Sequence, residues 1–323
     1  MPMPGTPTWW PWLPCTGRAS SRSAVCSWNV FEGAPMVYDG PILDNHFHLN
    51  RRGLFLDAAR AFQRVGGTDV VLVHCPDFTS PPETLAGHQA DYRDTVAMAQ
   101  SVRDEVGLGV RVVLGPHPAA FAHQFERWVS EEGPAGKERA VENYRHSIQA
   151  ALELVHEGHA HAIGEVGRPH WPVSDEIWDL SNELLDETMH LAAQEGIPLQ
   201  LHVEGESDET YPDLARRALR QGMDLRKLVR HYSPPDVRTS NTHGLTPSVL
   251  CGKGAIERLI ETHLDAKHGF FLETDYMDDP RRPGAVLGPK TVPKRTQQLL
   301  EAGVDEAVMW NTHSELPALV YGE

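Results

Sequence analysis

The segment LDNHFHLN at residues 43–50 places Asp44, His46 and His48 at alternate positions of an otherwise apolar run. In a regular β-strand, alternate side chains point to the same face, so these three residues are predicted to share one face. Burying two neighbouring imidazoles is costly unless something binds them, and a metal ion would do so. The spacing therefore predicts a metal site on this strand.

Four further residues of metal-binding type stand near the ends of later apolar runs. They are Glu165 in GEVG, His202 in LQLHVEG, His231 in VRHYS and Asp275 in LETD. With the first two histidines they make four imidazoles and two carboxylates, a set that suits a divalent ion. Because six ligands exceed the needs of one tetrahedral site, the sequence predicts two divalent metal ions (Zn²⁺, Mn²⁺ or Mg²⁺) that share a carboxylate.

Glu165 is the candidate for the shared carboxylate because it stands midway along the chain among the six. It could lie between the two histidines of the first run and the histidines of the fifth and sixth runs, with the two ions about 3.5–4 Å apart. Asp275 is predicted to bind one metal and to accept the proton of the attacking water, the role of a general base. Glu165 and Asp275 are thus the predicted catalytic residues.

These runs belong to a regular alternation of short apolar strands and longer amphipathic helices. The predicted strands are 42–48, 69–75, 111–117, 161–167, 198–204, 227–233, 244–251 and 270–275, of which 244–251 is the least regular because Pro247 interrupts it. Eight strands with intervening helices predict an α/β fold, a single-domain TIM (β/α)8 barrel, in which the carboxyl ends of the strands meet at one rim. An open doubly wound sheet is the alternative, but no G-x-G-x-x-G follows the first strand.

Residues 1–35 do not follow this alternation. They are rich in Pro, Ser and Trp and show neither a strand nor a helix period. We predict an irregular, disordered tail at 1–35, with Met36 as the candidate for the true start, and a barrel over 36–323. A functional arm is the alternative for the tail.

Composition limits the partners of this chain. A net charge of −16 argues against a protein that coats nucleic acid through a broad basic face. The four cysteines form no C-x-x-C pair, and no apolar run approaches the length of about 20 residues that a membrane span needs. We therefore expect a cytoplasmic protein without a membrane partner, while its oligomeric state stays open.

The motifs on these runs resemble those of the TatD family of metal-dependent hydrolases, in the amidohydrolase superfamily. The family's D-x-H-x-H resembles Asp44, His46 and His48, its G-x-H-P resembles GPHP at 115–118, and its G-E-x-G resembles GEVG at 164–167. Its paired histidines resemble His202 and His231, and its E-T-D resembles residues 273–275. The resemblance spans about residues 41–322, nearly the whole chain apart from the tail.

The resemblance implies a ligand set and an activity. One metal would be held by His46, His48, Glu165 and Asp275, and the second by Glu165, His202 and His231. Members are typically described as exonuclease-type deoxyribonucleases, which implies hydrolysis of phosphodiester bonds in a small-molecule or nucleic-acid phosphoester. The alternatives are a lactonase or amidase on the same barrel and, from a different class, a non-catalytic scaffold.

Three neighbouring residues have open roles. His117 could contact the substrate's leaving group or merely pack at the rim, and Arg168 could bind a substrate phosphate or form an ordinary ion pair. For Asp44 we favour a hydrogen bond to one of the ligand imidazoles over direct metal binding.

Overall fold

Parallel strands alternate with helices throughout the part of the chain that the computed structural model describes, which is residues 38–205, 207–279, 281 and 286–322. The predicted tail at 1–35 and the predicted start at Met36 lie outside these residues. The strands are β1 (Leu43–Phe47), β2 (Asp69–Val73), β3 (Gly109–Leu114), β4 (Ala162–Gly167), β5 (Leu199–His202), β6 (Leu228–Ser233), β7 (Thr246–Leu250) and β8 (Phe271–Glu273).

The eight described strands form one sheet in chain order, with each strand parallel to the next. The ring closes just beyond β8, where Tyr276 pairs in parallel with Phe47 and its carbonyl accepts the His48 N–H at 2.9 Å. The predicted TIM barrel is thus confirmed. Strand β7 forms despite Pro247, because this residue lies near the start of the strand, where a missing N–H is tolerated.

Helices follow the strands, most of them around the outside of the barrel. They are α1 (Leu56–Gln63), α2 (Leu85–Val106), α3 (Pro118–Glu132), α4 (Pro134–His156), α5 (Asp175–Glu195), α6 (Thr210–Gln221), α7 (Thr239–Thr242), α8 (Ala255–Thr262), α9 (Thr291–Glu301), α10 (Glu306–Trp310) and α11 (Leu316–Tyr321). Local sequence sets their limits: the Thr84 hydroxyl accepts the Gly87 N–H at the start of α2, and Gly107, with φ 79°, ends it. None of the described helices is long and apolar enough to cross a membrane.

The apolar core has two layers, one inside the barrel and one between the sheet and the helices. In β2, Val71 belongs to the inner layer and Leu72 to the outer one. The inner layer also contains Leu43 and Phe271, which begin their strands, and residues of α11. Helix α11 therefore covers the amino ends of the strands, and the carboxyl ends remain for the site.

Strand β1 does not alternate as its sequence predicts. Its pairing with β2 shifts register between Asp44 and Phe47, so a bulge interrupts the alternation there. The side chains of Asn45 and His46 consequently point to the same side, since both contact groups inside the barrel, Ser248 for Asn45 and Gln200 for His46. The prediction that Asp44, His46 and His48 share one face is therefore wrong for Asp44.

Asp44 instead ties the first strand to the segment after the last. Its buried carboxylate accepts the Thr274 N–H at 3.0 Å and the Thr274 hydroxyl at 2.6 Å. The expected hydrogen bond from Asp44 to a ligand imidazole is corrected accordingly, because the bulge turns this side chain to the outer face. Asp44 thus stabilises the closure of the barrel.

We expect Asp44→Ala to lower the free energy of unfolding by about 2–3 kcal/mol, because it leaves two buried donors of Thr274 without an acceptor. Chemical denaturation measures this change. Asp57→Ala is the control, since Asp57 is exposed and forms a surface pair with Arg60, and it should change stability by less than about 0.5 kcal/mol. Equal stabilities of the two variants would contradict the role given to Asp44.

Candidate metal centre

The six predicted ligands meet at the carboxyl end of the barrel. Strand β1 brings His46 and, directly after its last residue, His48; β4 brings Glu165, β5 brings His202, β6 brings His231, and the turn after β8 brings Asp275. Potential ligand atoms lie within 4.8 Å of one another in three groups among the described residues: His46, His48 and Asp275; His117, Glu165 and His202; and His46, His231 and Glu273. Such clusters of imidazoles and carboxylates fit a divalent metal ion.

The two histidines of β1 present the same ring nitrogen, Nε2, to the centre. The Nδ1 of His48 lies 2.9 Å from the carbonyl oxygen of Val73, which only accepts, so Nδ1 carries the proton. The Nδ1 of His46 lies 3.0 Å from Oε1 of Gln200, whose amide nitrogen donates to the Asn45 carbonyl at 3.1 Å. Both rings therefore keep the proton on Nδ1, the state in which Nε2 can bind a metal.

These Nε2 lone pairs crowd against each other and against carboxylate oxygens. The Nε2 atoms of His46 and His48 are 3.1 Å apart, and Oε1 of Glu165 lies 2.7 Å from the first and 3.3 Å from the second. Oδ1 of Asp275 lies 3.4 Å from the Nε2 of His48. Acceptors this close and buried repel one another unless a cation lies among them. The donor set therefore fits a divalent ion.

These close contacts also change the pKa of His48. Burial alone would lower its pKa, but hydrogen bonds to Asp275 and Glu165 raise the pKa of His48 well above its ordinary value. Without an ion, a proton takes the place between these groups. A metal ion must displace that proton, so metal binding at this centre releases protons.

Glu165 lies between two sets of histidines. While its Oε1 faces His46 and His48, its Oε2 lies 2.7 Å from Nδ1 of His202 and 3.2 Å from Nε2 of His117. Burial alone would raise the pKa of Glu165, but electrostatic interactions with the imidazoles of His46, His117 and His231 hold it well below its ordinary value. An ionised carboxylate with one oxygen toward each set has the arrangement of a bridging ligand.

Asp275 reaches the centre through an unusual backbone conformation. Its φ of 47° lies in the left-handed region, which turns the chain immediately after β8. Burial would raise the pKa of Asp275, but the hydrogen bond from His48 and electrostatic interactions with His231 and His46 lower it. The carboxylate is therefore ionised near neutral pH and able to accept a proton.

His231 contacts different neighbours from those that the sequence predicts. Its ring stacks on that of His46 with centroids 3.8 Å apart, and the ring of His202 is farther away, at 5.3 Å. Its Nδ1 lies 3.0 Å from Oε1 of Glu273, which leaves Nε2 for an ion. In the sequence Glu273 stands out only as part of the motif at residues 273–275, and this contact is not predicted from it.

His117 contacts Glu165 rather than standing free at the rim. Its Nδ1 accepts the Ala119 N–H at 3.0 Å, so its proton is on Nε2, which donates to Oε2 of Glu165. Burial, the largest effect, together with the charge of His202 lowers the pKa of His117 to about 4, so the ring is neutral. His117 therefore orients Glu165.

His170, which sequence analysis missed, lies against His202. Its Nδ1 is 2.8 Å from Nε2 of His202, on the side of that ring opposite Glu165. The Nδ1 atoms of His46, His48 and His231 bond to Gln200, Val73 and Glu273 respectively. His170 is the corresponding partner of His202, which it contacts at Nε2. In the sequence only the position of His170 indicates this role, because RPHWP directly follows GEVG.

Arg168, a predicted possible substrate contact, is turned into the protein. It is buried, and its guanidinium donates to Glu204 at 2.7 Å, Asn182 at 3.0 Å and Asp213 at 2.6 Å. It also lies over the ring of Trp178, with 4.9 Å from Cζ to the ring centroid. With its donors engaged in this way, Arg168 fixes the loop after β4, and its prediction as a substrate contact is corrected.

A groove of about 590 Å³ opens beside the centre. Its lining runs from His48 past His74 to the segment 277–279 that follows Asp275. This volume is within the range of small-molecule sites, about 300–1,000 Å³. The groove is therefore a place where a substrate can reach His48, the predicted ligand that lines it.

Comparison with known proteins agrees with this geometry. Residues 43–322 match the family described as TatD related DNase. An uncharacterized protein of Methanocaldococcus jannaschii is 32% identical over 291 residues, which cover 87% of this chain and 95% of that protein.

Solved structures share the fold at low sequence identity. The TatD homologue YJJV of Escherichia coli has a TM-score of 0.57 at 18% identity, covering 89% of this chain and 100% of that one. An uncharacterized amidohydrolase of Saccharomyces cerevisiae has a TM-score of 0.57 at 12% identity, covering 87% and 100%. The family match over almost all described residues decides the relationship: the chain belongs to the family of TatD related DNases.

Proposed function

We propose that this protein is a hydrolase that uses two divalent metal ions to cleave phosphodiester bonds, as an exonuclease-type deoxyribonuclease does. The observation that carries the proposal is the position of Glu165, whose two oxygens face two different sets of histidines. His46, His48 and Asp275 would hold the first ion with Glu165. His202 and His231 would hold the second with Glu165; the ring of His231 stacks on that of His46 and lies 5.3 Å from that of His202.

Bound divalent ions supply positive charge to the scissile phosphate and lower the pKa of water toward neutrality. Side chains of the protein accept the proton and orient the carboxylates. Asp275 is ionised and lies at the edge of the centre, so it accepts the proton of the attacking water at a carboxylate oxygen. Glu165 remains ionised between the histidines, and His117 keeps it oriented.

Three arginines in the groove support an anionic substrate. Arg51 lies 2.9 Å from Asp94, Arg52 lies 3.7 Å from Asp77, and Arg281 lies 3.3 Å from Asp279. The side chains of Arg52 and Arg281 are 86% and 79% exposed, so these pairs are weak and a phosphate can replace the aspartate. The proposed partner is therefore a small-molecule or nucleic-acid phosphoester. The proposed location of the protein is the cytoplasm.

The same groove also favours a second candidate, a lactonase or amidase. Its described lining contains five aspartates against three arginines: Asp77, Asp91, Asp94, Asp278 and Asp279. An acidic lining repels a long polyanion and tolerates a small neutral ester or amide. Chain length and charge of the substrate separate the two candidates.

A substrate panel tests the proposal. Purified protein is loaded in turn with Mn²⁺, Mg²⁺ and Zn²⁺ and offered a p-nitrophenyl phosphodiester, single-stranded DNA with a labelled end, and a set of lactones and amides. We expect phosphodiester cleavage that chelation abolishes and metal restores. Cleavage of lactones or amides alone would favour the second candidate, and a protein that neither binds metal nor turns over any substrate would favour the scaffold.

We expect Glu165→Gln to lower the bound metal by at least one ion per chain and to abolish turnover. The amide has the same shape as the carboxylate but lacks the charge, and its nitrogen cannot bind a metal. Elemental analysis of the purified variant measures the metal directly. Glu187→Gln is the matched control, because Glu187 is exposed and pairs with Arg145 on the surface; full metal content and turnover in Glu165→Gln would refute the bridging role.

His170 offers a test of the second metal position alone. We expect His170→Phe to lower the affinity for the second ion by about 10–100-fold, because His202 loses the partner of its Nε2. His170→Asn should restore much of this affinity, since an amide oxygen can accept at the place of Nδ1. Metal titration of the stripped protein measures the binding of the first and of the second ion. Unchanged binding of the second ion by His170→Phe would contradict the role given to His170.

A further inference from the structure

A chain of buried hydrogen bonds runs beneath the metal centre from one ligand histidine to another. It begins at His46, whose Nδ1–H donates to Oε1 of Gln200 at 3.0 Å. The amide nitrogen of Gln200 then donates to the hydroxyl of Tyr321 at 2.8 Å. A residue of the last helix, α11, is thus two hydrogen bonds away from a predicted metal ligand.

The chain continues from Tyr321 to the other side of the centre. The Tyr321 hydroxyl donates to Oδ1 of Asn45 at 3.0 Å, and Nδ2 of Asn45 donates to the Ser248 hydroxyl at 3.0 Å. The Ser248 hydroxyl bonds to Oε2 of Glu273, and Oε1 of Glu273 accepts from Nδ1 of His231 at 3.0 Å. The five connecting side chains are all buried.

Backbone groups fix the direction of the hydrogen bonds at both ends. At one end the amide nitrogen of Gln200 must donate to the carbonyl of Asn45, 3.1 Å away, so Oε1 is left to accept from His46. At the other end the Tyr232 N–H donates to Oε1 of Glu273 at 2.8 Å, so this oxygen is an acceptor for His231 as well. Reversal of the chain would leave these backbone groups facing the wrong partners.

Tyr321 differs from the other members in where it comes from. Asn45, Gln200, Ser248 and Glu273 lie on strands of the barrel, whereas Tyr321 ends the helix that covers the amino ends of the strands. Its ring is 6% exposed and stacks on Phe271, with centroids 5.7 Å apart. Packing of α11 therefore fixes the place of the hydroxyl.

We propose that Tyr321 is a positioning residue for the metal centre, which acts through Gln200 on His46 and through Asn45, Ser248 and Glu273 on His231. Its hydroxyl accepts from one amide and donates to the other, which keeps both amides in the orientation that leaves Nε2 of each histidine without a proton. The inference rests on the proposed metal centre and adds that metal affinity depends on the C-terminal helix. By linkage, bound metal also stabilises the docking of α11.

The test is metal binding by Tyr321→Phe, which removes one oxygen and keeps the ring. Stripped full-length proteins are titrated with Zn²⁺ and Mn²⁺ by calorimetry, and Co²⁺ is added in a second series to record its visible absorption. We expect Tyr321→Phe to bind Zn²⁺ about tenfold more weakly than the unchanged protein and to alter the Co²⁺ spectrum. Neither readout depends on turnover.

Tyr144→Phe is the matched control. The Tyr144 hydroxyl is also buried and bonds at 3.1 Å to Thr188, between α4 and α5, so the same chemical change is made away from the predicted ligands. This variant should bind metal like the unchanged protein, even if its stability falls. Equal affinities and spectra in Tyr321→Phe and Tyr144→Phe would overturn the inference while leaving the metal centre intact.

A second variant covers the case in which Tyr321→Phe does not fold. Ser248→Ala cuts the same chain on β7 without touching α11, and we expect weaker metal binding from it as well. Unchanged affinity in Ser248→Ala would overturn the connection to His231. If the unchanged protein itself binds no metal, both the proposed function and this inference fail.

Discussion

The structure depends on one electrostatic constraint at the mouth of the barrel. Nitrogens of His46 and His48 and oxygens of Glu165 and Asp275 face one another at 2.7–3.9 Å in a buried space. Each of these atoms carries a lone pair and is a hydrogen-bond acceptor when the groups are in their ordinary states, so they can be adjacent only around a positive charge. A divalent ion satisfies all of them at once, whereas protons satisfy them only in pairs.

The barrel meets this constraint by departing from regular strands where the ligands stand. The pairing shifts register between Asp44 and Phe47 in β1, between Ile163 and Val166 in β4, and between Arg230 and Ser233 in β6. A regular strand sends only every second residue inward, while an irregular one can send two neighbours to the same side. The irregularities thus let His46, Glu165 and His231 point inward at the height of the centre, whereas Asp44 points outward and closes the ring.

The groups behind the ligands are as specific as the ligands. His46, His48 and His231 each have an Nδ1 held by a different partner, and His170 stands behind His202. Partners of this kind set which nitrogen faces the ion and how the ring is turned. Because Val73, Gln200 and Glu273 lie on three different strands and His170 follows a fourth, the chemistry of the centre is connected to the packing of the whole barrel.

The sequence by itself determined the types of the candidate ligands, their order and the end of the barrel on which they lie. The reason is that all strands of a closed parallel sheet run in the same direction and end at the same rim. A histidine or acid at the end of an apolar run is therefore predicted to lie at that rim. Only the tertiary structure decided the facing of Asp44, the neighbours of His231, the burial of Arg168, and the parts played by His170, Gln200 and Tyr321. These depend on strand irregularities and on contacts between residues far apart in the chain, such as the 121 positions that separate Gln200 from Tyr321, and no local period encodes them.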